Sequence, residues 1–462
     1  MLHPKRHFHL HLHLQLLLSC LLSCSYGTTT ITNTTITIPT VNYFHLLNYS
    51  GPDHMPHLNV SQINYQDIIN VTHSAVVMEN KYLKVVLLPA MGRVYRIVDL
   101  TTGHDILWKN SIASPNGANN DLGWWLWIGG IEYTLPGQEH GFTWALDWQW
   151  KISSGSHGTK NCHGHATCVI TSITEPTTGI VETLTFSLGN TAISLTTDVE
   201  LENPSNTTAM YAHWTNVPFV PGPTNMLPDS TEFIIPTTSI HIDPRWVNNL
   251  GNGTQVWTTS PLRFIKNWVN GTLMGDLTTN GLENGYFGVY SHKDQEGAAR
   301  IFETMQTPGC DTWSYGFHPP SCFPQNTNIS NCRYAEMWGG TVTHLEKLRP
   351  LQPKKRIHWT EQVQPYRGTR GICFANKYVI ANVWRDINGG GNDSAGATVA
   401  LSFNVELLDT KILIGARGLL RELGDVSPRN VVYVTDTMVV KGSQIWIWNS
   451  LNVLVATFAV KI

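Results

Sequence analysis

Apolar and polar residues alternate with a period of two over many short stretches of the chain. At 35–38 the sequence reads Thr-Ile-Thr-Ile, which is typical of a strand. Helical periodicity is nearly absent, and the best candidate, at 416–423, is only about two turns long and contains Gly418. The clearest further runs, bounded by Gly, Pro and Asn, lie at 82–88, 179–188, 192–201, 285–290, 397–407, 431–435 and 445–460. The pattern predicts an all-β protein.

The composition divides the chain into four segments. Residues 1–25 join two cations, Lys5 and Arg6, to a Leu-rich stretch at 8–22 and then to small residues, which predicts a signal peptide cleaved near 25–27. Residues 28–74 are rich in Thr, Asn and Ile, and we interpret them as a lead-in that adds edge strands. We predict that 75–366 form a large antiparallel sandwich and that 367–462 form a smaller, sandwich-like β unit.

Further features agree with export from the cell. Six cysteines follow the leader, an even number that reads as up to three disulfides in an oxidising compartment. Cys162 and Cys168 are spaced for a hairpin disulfide, and a metal site that includes His163 and His165 is the alternative. Sequons for N-glycosylation occur at Asn33, Asn48, Asn59, Asn70, Asn206, Asn252, Asn270, Asn328 and Asn392. The sequence therefore predicts a secreted, extracellular glycoprotein.

Charge and motifs exclude several functional classes. Charged residues make up 14% of the chain and the net charge is −3, with no basic run that follows phosphates, so we expect no nucleic-acid partner. No segment after the leader reaches the roughly 18 apolar residues of a membrane-spanning helix, so we expect no span after cleavage, and an uncleaved signal anchor is the alternative. A phosphate-binding glycine loop, a nucleophile elbow and a dinucleotide fingerprint are missing. No cofactor and no metal are predicted.

Tryptophan supplies the first indication of a ligand. The chain has 17 Trp, and six of them crowd one region, at 124, 125, 127, 144, 148 and 150. Sugars stack their C–H faces on indole rings, while their hydroxyls bind carboxylates, amides and His. The alternative for any single Trp is a place in the core of a wide sandwich. For the whole cluster, which is interleaved with polar groups, we favour a carbohydrate-binding groove.

Five ordered blocks of sequence carry a resemblance to a known superfamily. They read YLKVVLLPAMGRV at 82–94, continued by a polar turn at 99–105; WIGGIEYTLP at 127–136, followed by EHG at 139–141; HWTNVP at 213–218; YAEMWGG at 334–340; and WTE at 359–361. Together they resemble the galactose mutarotase-like superfamily, most closely its uncharacterised bacterial branch, which is often fused to tetratricopeptide repeats. The resemblance implies a large antiparallel β-supersandwich over about 82–366, without the fused repeats.

The resemblance also implies roles for particular residues. Sugar mutarotases of this fold use a Glu as base and a His as acid to open the sugar ring. Glu336 lies in the block that resembles the one with the mutarotase base, and His140 lies in a loop expected near the sugar. His213 is a further candidate, although aligning Asn216 with the Asn of the family puts the mutarotase His at Ala212.

Glu132 is a second candidate carboxylate, in the most specific block. Paired with Glu336, it would supply the two carboxylates of a glycosidase, whereas a buried Glu that accepts backbone hydrogen bonds is the alternative. Aromatic and amide side chains near these candidates are expected to bind the sugar, namely Trp125, Trp127, Tyr133, Trp214, Asn216 and Trp338.

Three functions follow from these features. The first is a secreted enzyme that acts on a glycan by Glu/His acid–base chemistry, as an epimerase, glycosidase or polysaccharide lyase. In the second, the same groove binds carbohydrate without catalysis. In the third, the protein is a structural extracellular glycoprotein. Fold alone does not decide among them.

Overall fold

A computed structural model gives the structure of most of the chain. It describes residues 28–51, 53–137, 139–154, 162, 167–242, 253–268, 277–279, 281–314, 333–345, 347–385, 397–415, 419–436 and 439–461. The predicted leader, the sequons at Asn252, Asn270, Asn328 and Asn392, and Cys322 and Cys332 lie outside these residues.

Strands account for almost all regular structure in the described residues. The N-terminal ones are β1 (Thr30–Val41), β2 (Ile68–Glu79), β3 (Leu83–Leu88), β4 (Arg93–Asp99), β5 (His104–Asp105), β6 (Lys109–Gly117), β7 (Trp124–Gly129) and β8 (Glu132–Thr134). The central ones are β9 (Gln149–Ser154), β10 (Thr167–Thr174), β11 (Val181–Leu188), β12 (Leu195–Glu202), β13 (Ala209–Tyr211), β14 (Trp214–Phe219), β15 (Thr231–Ile234), β16 (Ser239–Ile242), β17 (Gly253–Val256), β18 (Leu277–Thr279), β19 (Tyr286–Ser291), β20 (Glu296–Ile301), β21 (Gly309–Trp313), β22 (Ala335–Gly340), β23 (Arg349–Leu351) and β24 (Arg356–Arg367). The C-terminal ones are β25 (Phe374–Ala375), β26 (Val379–Arg385), β27 (Ala397–Phe403), β28 (Leu407–Ile414), β29 (Leu419–Val426), β30 (Val431–Asp436), β31 (Gln444–Trp448) and β32 (Leu454–Ala459). Helical turns are three-residue 3₁₀ segments at Phe44–Leu46, Val60–Gln62, Pro89–Met91, Thr143–Ala145, Pro261–Arg263 and Ile265–Asn267.

One layer of the large sandwich joins two sheets. A seven-stranded sheet has the order β5-β4-β3-β2-β1-β6-β7, and a four-stranded sheet has the order β21-β22-β14-β8. Isolated bridges, Val94 with Ile131 and Leu107 with Phe219, link the two sheets. The lead-in was expected to add edge strands, and this is wrong for β1. It pairs with β2 along its whole length and with β6 at Thr40, so it lies inside the sheet.

The opposite layer is an eight-stranded sheet with the order β15-β19-β20-β24-β12-β11-β10-β9. Along β11, alternate residues such as Leu184 and Phe186 point inward and are fully buried, which is the period-two pattern expected for a strand that faces a core. One large apolar cluster fills the space between the layers and includes residues from Ile38 to Val363. The predicted all-β sandwich fold is therefore confirmed.

The C-terminal part of the chain forms two four-stranded sheets, ordered β25-β26-β27-β30 and β29-β28-β31-β32. Their facing residues, from Val379 to Val460, form a second apolar cluster. The domain bounds given above stay predictions. The weak helical candidate at 416–423 is not a helix over its described residues, because Leu419–Val426 is strand β29, paired with β28. The single run predicted at 445–460 is instead two strands, β31 and β32.

One predicted disulfide is confirmed. Cys162 and Cys168 are bonded, with their Cα atoms 5.5 Å apart, which excludes these two thiols from the alternative metal site. His163 and His165 lie outside the described residues. Cys310 and Cys373 are free thiols. Over the described ranges, no helix combines the length and the apolar character that crossing a membrane requires.

Candidate functional site

The four-stranded sheet brings together residues that are far apart in the sequence. In register, Asn216 of β14 lies between Glu132 of β8 and Trp338 of β22, and Asp311 of β21 lies beyond Trp338. Side chains of directly paired residues project from the same side of a sheet, and so do residues two apart on one strand. Glu336 therefore shares this side. We call it the site face, and we call the opposite side, which packs on the eight-stranded sheet, the inner face.

A tight glycine turn sets the position of Glu132. Gly129 and Gly130 have φ of +91° and +74°, and a Cβ on either would collide with the backbone of a neighbouring strand. The guanidinium of Arg93 donates to the Gly129 carbonyl at 2.9 Å and forms an ion pair with Glu132 Oε1 at 3.2 Å. Both charged side chains are about 2% exposed, so each is the counter-ion that the burial of the other requires.

His140 lies between two indole rings. Its ring stacks on Trp125 with a centroid distance of 3.8 Å and an interplanar angle of 6°, and Trp338 meets it edge-on at 5.1 Å. His140 Nδ1 bonds to Glu132 Oε2 at 3.0 Å. The backbone of His140 is left-handed, with φ of 58°, a conformation that few residues other than Gly adopt. Such strain is concentrated at functional sites, because the surroundings must enforce it.

Glu336 is held by two donors from its own strand region. The hydroxyl of Tyr334 donates to Oε1 at 2.9 Å and the indole N–H of Trp338 donates to Oε2 at 3.2 Å. The Trp127 indole in turn donates to the Tyr334 hydroxyl at 3.1 Å. Burial raises the pKa of Glu336 to about 7, against the lowering effect of nearby His140 and of these hydrogen bonds. This carboxyl can therefore gain or lose a proton near neutral pH.

Unlike Glu336, the other titratable groups at the site are shifted toward their charged forms. Burial opposes ionisation of Glu132, but the charges of Arg93 and His140 outweigh it and lower the pKa of this carboxyl. Burial likewise disfavours the charged form of His140, but Glu132 outweighs it and raises the pKa of the imidazole. The site thus favours the ionised form of Glu132 and the protonated form of His140, beside a Glu336 that is readily protonated. Titratable groups with pKa values pushed apart are typical of acid–base sites.

Most predicted sugar-binding residues lie at or beside this cluster. Trp125 and Trp338 contact His140, and Asn216 lies on the site face with an Oδ1 atom that is buried and has no hydrogen-bond partner among the described residues. Trp127 is 1% exposed, and its indole N–H positions the Tyr334 hydroxyl by a hydrogen bond. Trp214 points to the site face but is fully buried, and its indole fills the space left by Gly340.

His213 and Tyr133 do not join the cluster, so their predicted roles at the site need correction. The hydroxyl of Tyr133 bonds to Thr197 Oγ1 on the eight-stranded sheet at 3.0 Å. His213 Nε2 bonds to Glu182 at 2.8 Å on that same sheet. Both residues lie one position away from residues of the site face, and neighbouring residues of a strand point to opposite sides. They belong to the inner face.

Gly339 and Gly340, which follow Trp338, make room for protein groups. A Cβ at Gly339 would meet the guanidinium of Arg300 on the inner face, and one at Gly340 would meet the indole of Trp214. Protein groups occupy both spaces.

Sequence reasoning missed two functional side chains, Arg93 and Tyr334. Both lie inside the blocks that carry the resemblance. The sequence offered one signal for each of them. Arg93 is a charged residue in an otherwise apolar strand region, and Tyr334 lies two residues before Glu336.

The all-β supersandwich is the fold that the resemblance implied, and one of its sheets carries a carboxylate–imidazole cluster. The chain belongs to the family described as a domain of unknown function (DUF5107), whose model matches residues 55–353.

Two solved structures illustrate what the chain is similar to. A TPR-domain-containing protein from Parabacteroides distasonis ATCC 8503 has a TM-score of 0.57 at 18% identity, over 74% of this chain and 55% of that one. The chain thus spans about half the length of that protein. A galactose mutarotase-like protein from Lactobacillus casei ATCC 334 matches with a TM-score of 0.42 at 11% identity, over 63% of this chain and 99% of that one. None of the curated proteins matches the chain.

Proposed function

We propose that the protein catalyses acid–base chemistry at the anomeric centre of a sugar, with Glu336 as proton acceptor and His140 as proton donor. The observation that carries the proposal is the raised pKa of both buried groups at one site. Glu132 raises the pKa of His140 and so favours a proton donor, and Glu336 has a pKa of about 7, near working pH, as efficient proton transfer requires.

The reaction that fits this pair best is interconversion of sugar anomers. Glu336 takes the proton of the anomeric hydroxyl while the bond between the anomeric carbon and the ring oxygen breaks. The electrons of that bond go to the ring oxygen, which takes the proton of His140. Rotation of the open-chain aldehyde followed by the reverse steps closes the other anomer and restores both side chains.

The arrangement of Glu132 argues against the glycosidase alternative. One of its oxygens forms an ion pair with Arg93 at 3.2 Å and the other bonds to His140 at 3.0 Å. A nucleophilic or base carboxylate needs a free oxygen directed at the substrate, whereas this one is neutralised on both sides. We assign Glu132 as a positioning residue that holds His140 in place and protonated.

A screen for anomer exchange tests the proposal. Purified protein is mixed with free monosaccharides, and exchange between their anomers is followed by NMR. We expect Glu336→Gln to lose about 10²- to 10⁴-fold of the rate, the usual contribution of one acid–base group. Glu79→Gln, at a partly exposed strand position, is the matched control and should keep the full rate.

Other outcomes separate the alternatives. Sugar binding without exchange would favour a carbohydrate-binding module, and release of shorter glycans, abolished equally by Glu132→Gln and Glu336→Gln, would favour a glycosidase. Exchange that survives Glu336→Gln would contradict the proposal.

We also propose that the protein acts outside the cell. The predicted leader, the disulfide between Cys162 and Cys168 and the sequons support this. The Asn side chains of the five described sequons, at 33, 48, 59, 70 and 206, are all exposed, as glycan attachment requires. Expression in a secretory host, followed by N-terminal sequencing and enzymatic deglycosylation, should give a chain starting near 25–27 that loses mass. A cell-retained, unglycosylated chain would contradict this.

A further inference from the structure

Strand β7 separates two different environments. Trp125 and Trp127 point toward the acid–base cluster, whereas Trp124, Leu126 and Ile128 point the other way and line a cavity of about 270 Å³. Because successive residues of a strand alternate in direction, the cavity lies on the opposite side of the sheet from Glu336. It is therefore a separate place in the fold.

Aromatic rings form much of the cavity wall. They come from Tyr43, Phe44, Tyr49, Trp124 and Trp144. Tyr43 stacks on Phe44 at 4.4 Å, and Trp144 meets Trp124 edge-on at 4.8 Å, so the deeper rings are fixed against one another. Phe44 and Tyr49 are 44% and 54% exposed and form the open side. The volume is slightly below the range of about 300–1,000 Å³ for drug-sized ligands, which suits a single ring.

Polar side chains also line this cavity. Tyr43 is 6% exposed and lies on the cavity wall. His73 is half-buried on the same wall, and burial lowers the pKa of its imidazole, which favours the neutral form. A neutral imidazole and a tyrosine hydroxyl can each donate and accept a hydrogen bond, as ligand hydroxyls can. Asp147 adds a carboxylate at the rim.

The charge of the lining narrows the ligand class. Among the described lining residues there is a carboxylate, Asp147, but no Lys or Arg. An anionic ligand such as a phosphate or a uronate would find no counter-ion. A ligand with an apolar face and hydroxyls around its edge fits both the rings and the polar side chains of this wall.

We propose that this cavity is a second sugar-binding subsite that takes one neutral pyranose ring, stacked on the aromatic wall with its hydroxyls on Tyr43, His73 and Asp147. The subsite does not depend on the proposed catalysis, because none of its lining residues belongs to the acid–base cluster. It gives the protein a means of holding a glycan away from the reacting centre.

Binding of small probes to the full chain tests the subsite. Methyl glucoside, methyl galactoside and methyl mannoside are titrated by saturation-transfer NMR, with glucuronate as the anionic probe and p-cresol as the flat aromatic probe. The glycosides cannot undergo anomer exchange, so the readout is binding alone. We expect at least one neutral glycoside to bind and glucuronate to bind much more weakly.

Matched variants locate the binding. Tyr43→Phe removes one hydroxyl and keeps the ring, and we expect binding to weaken about fivefold or more. Tyr49→Ala removes an exposed ring and should weaken it further, without a threat to folding. Glu336→Gln should leave this binding unchanged, so that failure of the subsite and failure of the catalytic proposal are distinguishable.

Several results would overturn the subsite. Glycoside binding that is lost in Glu336→Gln but kept in both Tyr variants would move the ligand to the acid–base cluster. Binding of p-cresol without any glycoside would make the cavity a site for apolar rings, and binding of no probe at all would leave it without the proposed ligand.

Discussion

The two faces of the four-stranded sheet both bury charged residues, but they use them differently. On the inner face, His213 pairs with Glu182 at 2.8 Å, and Arg300 Nε donates to Glu361 at 2.9 Å. The first pair crosses the layers of the sandwich, whereas Arg300 and Glu361 come from neighbouring strands, β20 and β24, of the eight-stranded sheet. In each pair one group is the partner of the other, which leaves neither of them directed at an outside ligand.

On the site face, the charges do not cancel in pairs. Arg93, Glu132 and His140 form one connected set, and Glu336 stands beside it with only neutral donors. As a result the pKa of Glu336 rises to about 7 while the pKa of Glu132 falls. The comparison teaches that burial alone does not make a reactive group. A carboxyl becomes reactive where its counter-charge is bound elsewhere.

The largest expected effect is on the inner face. Arg300→Met leaves Glu361 buried without its cation, and we expect a loss of about 3–5 kcal/mol in the free energy of unfolding. Arg300→Met combined with Glu361→Gln removes both charges and should recover much of that loss. Denaturant unfolding followed by Trp fluorescence measures both variants. A single variant as stable as wild type would show that the inner pair has no structural role.

A smaller effect, of opposite sign, is expected on the site face. Because the pKa of Glu336 is about 7 in the folded chain and about 4.5 when unfolded, the unfolded chain loses its proton first as pH rises. This group therefore favours folding fully below pH 4.5, and its contribution is lost progressively up to about pH 7. The free energy of unfolding changes by roughly 3 kcal/mol in total over this pH range.

Glu336→Gln removes this pH dependence. The variant should match wild type near pH 4 and become more stable than wild type by up to roughly 3 kcal/mol near pH 7. Unfolding curves at several pH values, with Glu79→Gln as the control, give the difference. A constant offset between variant and wild type over the whole range would mean that the pKa of Glu336 is not raised.

Much of the fold and part of the site were predictable from the sequence. Strand-like apolar runs bounded by turn residues located strands such as β3 and β11, because both signals are local in the sequence. The blocks also contained Glu132, His140 and Glu336. Local pattern failed where pairing decides the structure. Leu419–Val426 has residues that favour a helix but pairs with β28 as a strand, since tertiary contacts override weak propensities.

The sequence could not assign faces. Whether Tyr133 or Glu132 points to the site depends on which strands flank β8 and on which layer covers them, and both are set by residues far away in the chain. The same limit applies to the Trp cluster, which the structure splits between the acid–base cluster, through Trp125, and the outer cavity, through Trp124 and Trp144.

The smallest effect tests the link between Glu132 and His140 directly. In Glu132→Gln the largest charge that raises the pKa of His140 is gone, and burial, which lowers that pKa, is then opposed only by the weaker effects of Glu336 and Glu139. We expect a fall of about one pH unit or more, measured by ¹⁵N NMR titration of the imidazole, with His140→Asn identifying the resonance. Glu182→Gln, which removes the carboxylate beside His213, is the matched control and should leave the His140 resonance unchanged. If the pKa of His140 stayed the same in Glu132→Gln, the site face would hold its charges as independently as the inner face does, and Glu132 would not be a positioning residue.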